Sequence, residues 1–168
     1  MLARLGINQG YLVSGHLLTY SVLFGGSLYY SYIVSPLVFK KLPREEFSNL
    51  QNQVFPTYFI GQSIGPVLLA LISPYKFCPF TSGLLALSTV GGLLNYFWLL
   101  PVCRDIKEKR NKLVADKLDK TATGELTEEF KELSSQFGKY HGISTLVNTI
   151  SIVALGVYGW TISRKIKL

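Results

Sequence analysis

The chain has 168 residues, of which 48% are hydrophobic and 16% are charged, and its formal net charge is +7. Such a basic balance occurs in nucleic-acid-binding proteins, but here the lysines and arginines lie beside long apolar runs, where they anchor helices among lipid headgroups. We therefore expect no nucleic-acid partner. The composition predicts a single membrane domain over residues 1–168, with no room for a sizeable soluble domain.

Four stretches of the chain contain no Asp, Glu, Lys or Arg. They are Leu5–Phe39, Phe47–Tyr75, Phe77–Cys103 and Tyr140–Ser163. A hydrocarbon core of ~30 Å needs about 20 helical residues to cross it, so each stretch can form one span. The expected fold is all-α, an integral membrane four-helix bundle. Its spans are expected at about 11–38, 55–72, 80–102 and 140–163.

A short interfacial helix is expected between spans one and two. Pro43 and the acidic pair that follows it suit a first helical turn, and apolar residues recur at helical spacing as far as Val54. Such a segment is typical of a helix that lies along the headgroups. Pro56 is expected to mark the turn into span two.

Spans three and four are expected to continue outside the membrane as a protruding helical hairpin over residues 104–139. Asp105 and Lys109 form an acid-before-base pair at i,i+4, and Thr127 suits the N-cap of the returning helix. The charges of the hairpin are mixed in sign, which favours a solvated element. A docking surface for a protein partner is the alternative.

The flanks of the spans bear on targeting and orientation. Only Arg4 precedes the first apolar run, which is too long for the core of a cleaved signal, so we expect this span to be retained. Counting lysines and arginines favours cytosolic loops, with both termini on the other side. Cys78 and Cys103 would lie ~37 Å apart in one helix and cannot form a disulfide with each other.

Polar side chains within the spans form the candidate site, which we call the polar seam. Its members are His16, Tyr20, Ser27, Gln62, Asn95, His141, Ser144 and Asn148. The members in span one share one helical face with Ser31, within about 60°, and those in span four share another, within about 80°. Because lipid offers no hydrogen-bond partner, these faces should meet at the bundle centre.

Three interpretations of the polar seam stay open. It can hold the helices together by hydrogen bonds, it can form a polar crevice for a lipid headgroup or small solute, or it can serve catalysis or metal binding. Two histidines without an acid or a thiolate do not complete a metal shell, so we expect no metal, no cofactor and no enzyme. Small residues four apart, such as Gly61 and Gly65, predict a compact bundle and leave a homo-oligomer open.

Several segments resemble the transmembrane protein 205 family. In the first half they are Gly25–Ser27, Tyr29–Ser31, Ile33–Pro36, Leu42–Phe47 and Tyr58–Phe59, and in the second half Asn95, Pro101 and the pattern of Phe137–Asn148. The resemblance implies a four-helix membrane protein with a DUF4149-type domain and no settled activity. The basic tail is similar to a fungal branch placed at the mitochondrial outer membrane, and the endoplasmic reticulum is the alternative location.

On these grounds we expect a non-enzymatic organelle-membrane protein. Its role would lie in lipid homeostasis or membrane organisation, with membrane lipids as its partners. The alternative is a small transporter or lipid-moving protein that uses the polar seam.

Overall fold

A computed structural model describes residues 8–76 and 78–165 of the chain. Long helices account for nearly all of these residues, and no β-strand occurs among them. The helices are α1 (Gln9–Lys41), α2 (Arg44–Leu71), α3 (Pro79–Ala115) and α4 (Glu128–Ser163). Each is long and apolar enough to cross a membrane. The predicted all-α fold with four spanning helices is therefore confirmed.

The helices pack as a bundle in which each lies along two neighbours, while α2 and α4 meet across the bundle through side-chain hydrogen bonds. Helix α3 contacts α2 and α4, and α1 contacts the same two helices from the other side. The apolar core lies near the α2–α3 turn and is formed by Leu69, Leu85, Leu155, Tyr158 and Ile162. Helix α1 is the least buried of the four. Only 6% of its most apolar 18-residue stretch is buried, against 28–33% for the corresponding stretches of the other helices. Most of its surface is left to face lipid.

The separate interfacial helix predicted before span two is wrong. Residues from Arg44 onward are helical, but they form the first turns of α2, which continues through Pro56 without a break. A proline lacks the N–H that would bond the carbonyl four residues earlier, here that of Asn52. The Arg104 guanidinium of α3 donates to that carbonyl instead. Because this neighbour satisfies the freed group, the helix tolerates the proline.

Two π-helical segments interrupt the helices, and each precedes a proline. Tyr30–Val34 precedes Pro36 in α1, and Asn95–Leu99 precedes Pro101 in α3. In each case the carbonyl four residues before the proline, which the proline cannot bond, belongs to the π-helical segment. The wider turns of this segment leave room for the proline ring. The helices continue past both prolines. The two segments carry polar side chains that belong to the candidate site.

The connection between α3 and α4 forms a helical hairpin. Helix α3 ends at Ala115, and just beyond it Lys117 adopts a left-handed conformation with φ 57°. The Arg110 guanidinium lies 5.0 Å from the Phe130 ring centroid and 5.6 Å from that of Phe137. These cation–π contacts fasten the two helices beyond the charge-free runs.

Candidate functional site

Asn148 of α4 is the centre of a hydrogen-bonded cluster that joins three helices. Its Nδ2 donates to Ser31 Oγ at 3.0 Å, and its Oδ1 accepts from the Tyr58 hydroxyl at 2.9 Å and from Gln62 Nε2 at 2.8 Å. Ser31 and Tyr58 lie 3.0 Å apart. We call these residues, Ser31, Tyr58, Gln62 and Asn148, the Asn148 cluster. It ties α1 and α2 to α4.

Three of these groups form a closed ring of hydrogen bonds. The single proton of the Tyr58 hydroxyl is directed at Asn148, so Ser31 must donate to Tyr58, while Asn148 donates to Ser31. Each hydroxyl in the ring therefore donates once and accepts once. Rings of this kind polarise their members and strengthen each bond.

A second polar contact lies between α3 and α4. Ser144 Oγ donates to Asn95 Oδ1 at 2.5 Å, and Asn95 Nδ2 donates to the Gly91 carbonyl at 3.2 Å. Asn95 is completely buried and belongs to the π-helical segment of α3. This pair does not share a hydrogen bond with the Asn148 cluster.

The other end of the polar seam is an aromatic cluster around His16. His16 Nε2 and the Tyr158 hydroxyl are 3.0 Å apart, and both side chains are buried. Tyr75 meets the His16 ring edge-on, with centroids 6.1 Å apart. Tyr20 packs on Tyr158 and lies so close to Gly159 that a Cβ there would collide with its hydroxyl. We call His16, Tyr20, Tyr75 and Tyr158 the His16 cluster.

His141 does not lie with the rest of the predicted seam. Its side chain is exposed on the outside of the bundle and stacks on Phe137, with ring centroids 5.6 Å apart. The expectation that it faces the bundle centre is wrong, because it lies at the edge of the polar stripe of α4. His16 and His141 are far apart and form no pair.

The structure thus divides the predicted seam into separate sites. Between the Asn148 and His16 clusters lie Leu23, Phe24 and Leu155, which belong to the apolar core or pack against it. Among the described residues, no group of three or more His, Cys, Asp or Glu is placed to hold a metal ion.

Sequence analysis missed one central member of the site, Tyr58. It lies four residues before Gln62, so the two share one face of α2 and both reach Asn148. That spacing was the available signal. Sequence analysis also missed a neighbouring contact, in which the Tyr30 hydroxyl donates to Gln51 Oε1 at 2.6 Å and Gln51 Nε2 donates to Ser35 Oγ at 3.1 Å.

A crevice of about 340 Å³ opens between α1 and α2 beside the Asn148 cluster. Its polar lining includes Ser27, Tyr58 and Gln62, and its apolar lining includes Val22 and Val54. Ser27 and Gln62 are buried at its floor. A second groove, of about 360 Å³ between α2 and α3, has mainly apolar walls. Only the first combines an open apolar wall with buried hydrogen-bonding groups.

Comparison with known proteins gives two relatives and one family. A fungal protein, the xanthocillin biosynthesis cluster protein D of Aspergillus fumigatus, is 29% identical over 162 residues, covering 92% of this chain and 91% of the relative. Transmembrane protein 205 of Danio rerio is 24% identical over 167 residues, covering 84% of this chain and 86% of the relative. No solved structure matches.

The family model that matches describes a domain of unknown function, DUF4149, and covers residues 18–112. This range includes α2, most of α1 and α3, and every member of the Asn148 cluster except Asn148 itself. The resemblance to the transmembrane protein 205 family is thereby confirmed. Because the match spans more than half of the chain, this multi-pass membrane protein belongs to the DUF4149 family.

Proposed function

We propose that the chain is a non-enzymatic protein of an organelle membrane that binds membrane lipid and acts in lipid homeostasis or membrane organisation. The observation that carries this proposal is the crevice between α1 and α2, which has the Asn148 cluster at its floor. Apolar walls beside a small number of polar groups are the usual construction of a small-molecule site. In a membrane, such a crevice suits an amphiphile better than a soluble solute.

The proposed location is the mitochondrial outer membrane, with the endoplasmic reticulum as the alternative. Support comes from the resemblance of the basic tail to the fungal branch and from the fungal relative. In the proposed orientation the α1–α2 and α3–α4 loops face the cytosol, as the count of lysines and arginines favours.

Cysteine labelling tests this orientation. Cys78 is exposed at the start of α3, whereas Cys103 is half-buried near the other end of the apolar run. Hydrogen bonds from the Thr81 hydroxyl and backbone lower the pKa of the Cys78 thiol, and the thiolate is the reactive form. We expect a polyethylene-glycol maleimide too large for outer-membrane pores to leave Cys78 unlabelled in intact organelles and to label it after permeabilisation, with Cys78→Ser as the control. Labelling of Cys78 in intact organelles would mean that the α2–α3 turn faces the cytosol, opposite to the proposed orientation.

The alternative function is a small transporter or lipid-moving protein. It draws support from the name of the fungal relative, which associates that protein with the biosynthesis cluster of a small molecule. The apolar residues between the Asn148 and His16 clusters weigh against a continuous polar path through the bundle.

Lipid analysis of cells that lack the chain tests the leading proposal. We expect the composition of the organelle membrane to change and to return when the wild-type chain is restored. Unchanged composition would contradict the proposal. Flux of a fluorescent lipid across proteoliposomes containing the purified chain would instead support the alternative, and its absence would count against it.

A further inference from the structure

One hydrogen-bond acceptor at the floor of the crevice has no partner. Gln62 is only 1% exposed, and its Oε1 is buried without a hydrogen bond. The orientation of this amide is fixed by its neighbour, because Nε2 donates to Asn148 Oδ1, which also accepts from Tyr58. Turning the amide over would bring two carbonyl oxygens together. Oε1 is the atom of the Gln62 amide that this arrangement leaves without a partner.

The described groups around Gln62 do not supply the missing donor. The Tyr58 and Ser31 protons are used within the closed ring, one Asn148 amide proton is donated to Ser31, and no other donor lies within hydrogen-bond distance of Oε1. A buried acceptor without a partner is unfavourable, and more so in hydrocarbon, where water does not compensate. A bound molecule that brings its own donor would remove this cost.

The crevice has space for such a molecule. A Cβ added at Gly26 or Gly61 would meet no atom within 4 Å, so the absence of side chains at these positions keeps the crevice open. Both glycines line it together with Gln62. The volume of about 340 Å³ lies within the range of small-molecule sites.

The lining of the crevice also restricts the charge of its ligand. It consists of aliphatic, aromatic, hydroxyl, glycine and amide residues, and none of those that line it is ionisable near neutral pH. Gln62 lies about 27 Å along α2 from Arg44, well inside the span. A charged headgroup at this depth would have no counter-charge and would be costly to bury.

We infer that this crevice binds an uncharged lipid with a free hydroxyl at its polar end, such as a diacylglycerol, and that the hydroxyl donates to Gln62 Oε1 when the side chains that cover this atom move aside. The inference rests on the proposed lipid-binding function and names the ligand class of the same site. The acyl chains extend along the apolar walls formed by Val22 and Val54.

The test compares two probes that differ by one donor. The full chain in mild detergent micelles is mixed with dioleoylglycerol or with its methyl ether, which lacks the hydroxyl proton, and the retained lipid is counted by native mass spectrometry. One neutral hydrogen bond corresponds to about two- to tenfold in affinity, so we expect dioleoylglycerol to be retained about two- to tenfold more. Equal retention of the two probes, or retention of neither, would overturn the inference.

Variants link the preference to the crevice. Gly61→Val fills the space without touching the Asn148 cluster, and Gly83→Val is the matched control, because a Cβ there also meets no atom within 4 Å. Gly61→Val should lose dioleoylglycerol and Gly83→Val should keep it. Gln62→Leu should abolish the preference between the two probes, a ratio that does not depend on how much of the variant is folded. A Gly61→Val chain that retains the lipid as the wild type does would place binding elsewhere and overturn the inference.

A third probe separates this inference from the function on which it rests. If dioleoylphosphatidylcholine is retained in preference to dioleoylglycerol and is lost in Gly61→Val, the lipid-binding function stands and the ligand class is wrong. If no lipid of any class is retained and cells without the chain keep their lipid composition, both the inference and the proposed function fail.

Discussion

The Asn148 and His16 clusters both include a residue of α4, Asn148 in the first and Tyr158 in the second, about 15 Å apart along its axis, yet they use polar groups differently. At Asn148, one amide bonds three partners on two other helices, beside an open crevice. At His16, one ring nitrogen bonds one hydroxyl, and the remaining contacts are aromatic packing next to the apolar core. The first arrangement can admit a ligand, whereas the second mainly fixes how α1 and α4 fit together.

This difference shows why polar residues in a membrane helix need not form a continuous path. Both clusters satisfy the rule that polar groups face the interior of a bundle. Their neighbours decide the outcome, because glycines keep space open beside Gln62 while leucine and phenylalanine close the bundle between the clusters.

The largest expected effect comes from removing the amide at the centre of the Asn148 cluster. Asn148→Leu leaves Ser31, Tyr58 and Gln62 without this partner, and at about 0.6–2 kcal/mol per interhelical bond we expect a loss of about 2–4 kcal/mol in the free energy of unfolding. His16→Phe leaves one tyrosine hydroxyl unpaired and should cost about 1 kcal/mol. Unfolding in mixed micelles, followed by far-ultraviolet circular dichroism, measures both. A larger loss for His16→Phe would reverse the comparison.

The next effect concerns the straightness of α2, on which the position of Tyr58 depends. Arg104→Leu leaves the Asn52 carbonyl without a donor and should cost about 1.5–3 kcal/mol, as for a hydrogen bond to a charged group. In a Pro56→Ala background the cost should fall, because the alanine N–H can bond that carbonyl. The same unfolding measurement on the four combinations of these two changes gives their coupling.

Lys107→Leu is the control for this cycle. Lys107 Nζ donates to the side chain of Asn52 at 2.5 Å, so its loss should not be compensated by Pro56→Ala. If Arg104→Leu costs the same with and without Pro56, the guanidinium has no part in the tolerance of this proline.

A smaller effect is expected where α1 and α4 meet at the His16 cluster. Gly159→Val forces the new side chain against the Tyr20 hydroxyl, and overpacking of this kind costs about 1–3 kcal/mol. Gly142→Val, on the same helix, serves as the matched control, because a Cβ at Gly142 meets no atom within 4 Å. Thermal unfolding in detergent should separate the two variants. Equal stabilities would mean that α1 and α4 can move apart at low cost.

The fold was largely predictable, because runs without charges determine both the number and the approximate position of the spans. The course of α2 was not. Pro56 is a helix-breaking signal in the local sequence. The group that offsets it is the Arg104 guanidinium, which lies 52 residues after Asn52, the residue whose carbonyl it bonds. Local patterns do not contain such a tertiary contact.

The candidate site was predictable only in part, again because local patterns do not contain tertiary contacts. The polar stripe of α4 identified Asn148 and Ser144, since helical periodicity assigns residues to a face. The crevice depends on open space beside Gly26 and Gly61. Glycine spacing predicted close packing in general, and only the positions of the neighbouring helices distinguish a filled glycine contact from an open one.

The smallest expected effect belongs to His141, which the sequence places in the polar seam and the structure places outside it. Its ring stacks on Phe137 on the bundle surface, so His141→Ala should change the free energy of unfolding by less than about 0.5 kcal/mol. It should also leave lipid retention at the wild-type level. Unfolding in mixed micelles and native mass spectrometry check the two expectations, with Asn148→Leu as the reference on the same helix. A loss comparable to that of Asn148→Leu would mean that His141 turns inward in the membrane, and the polar seam would then extend from the crevice to the hairpin.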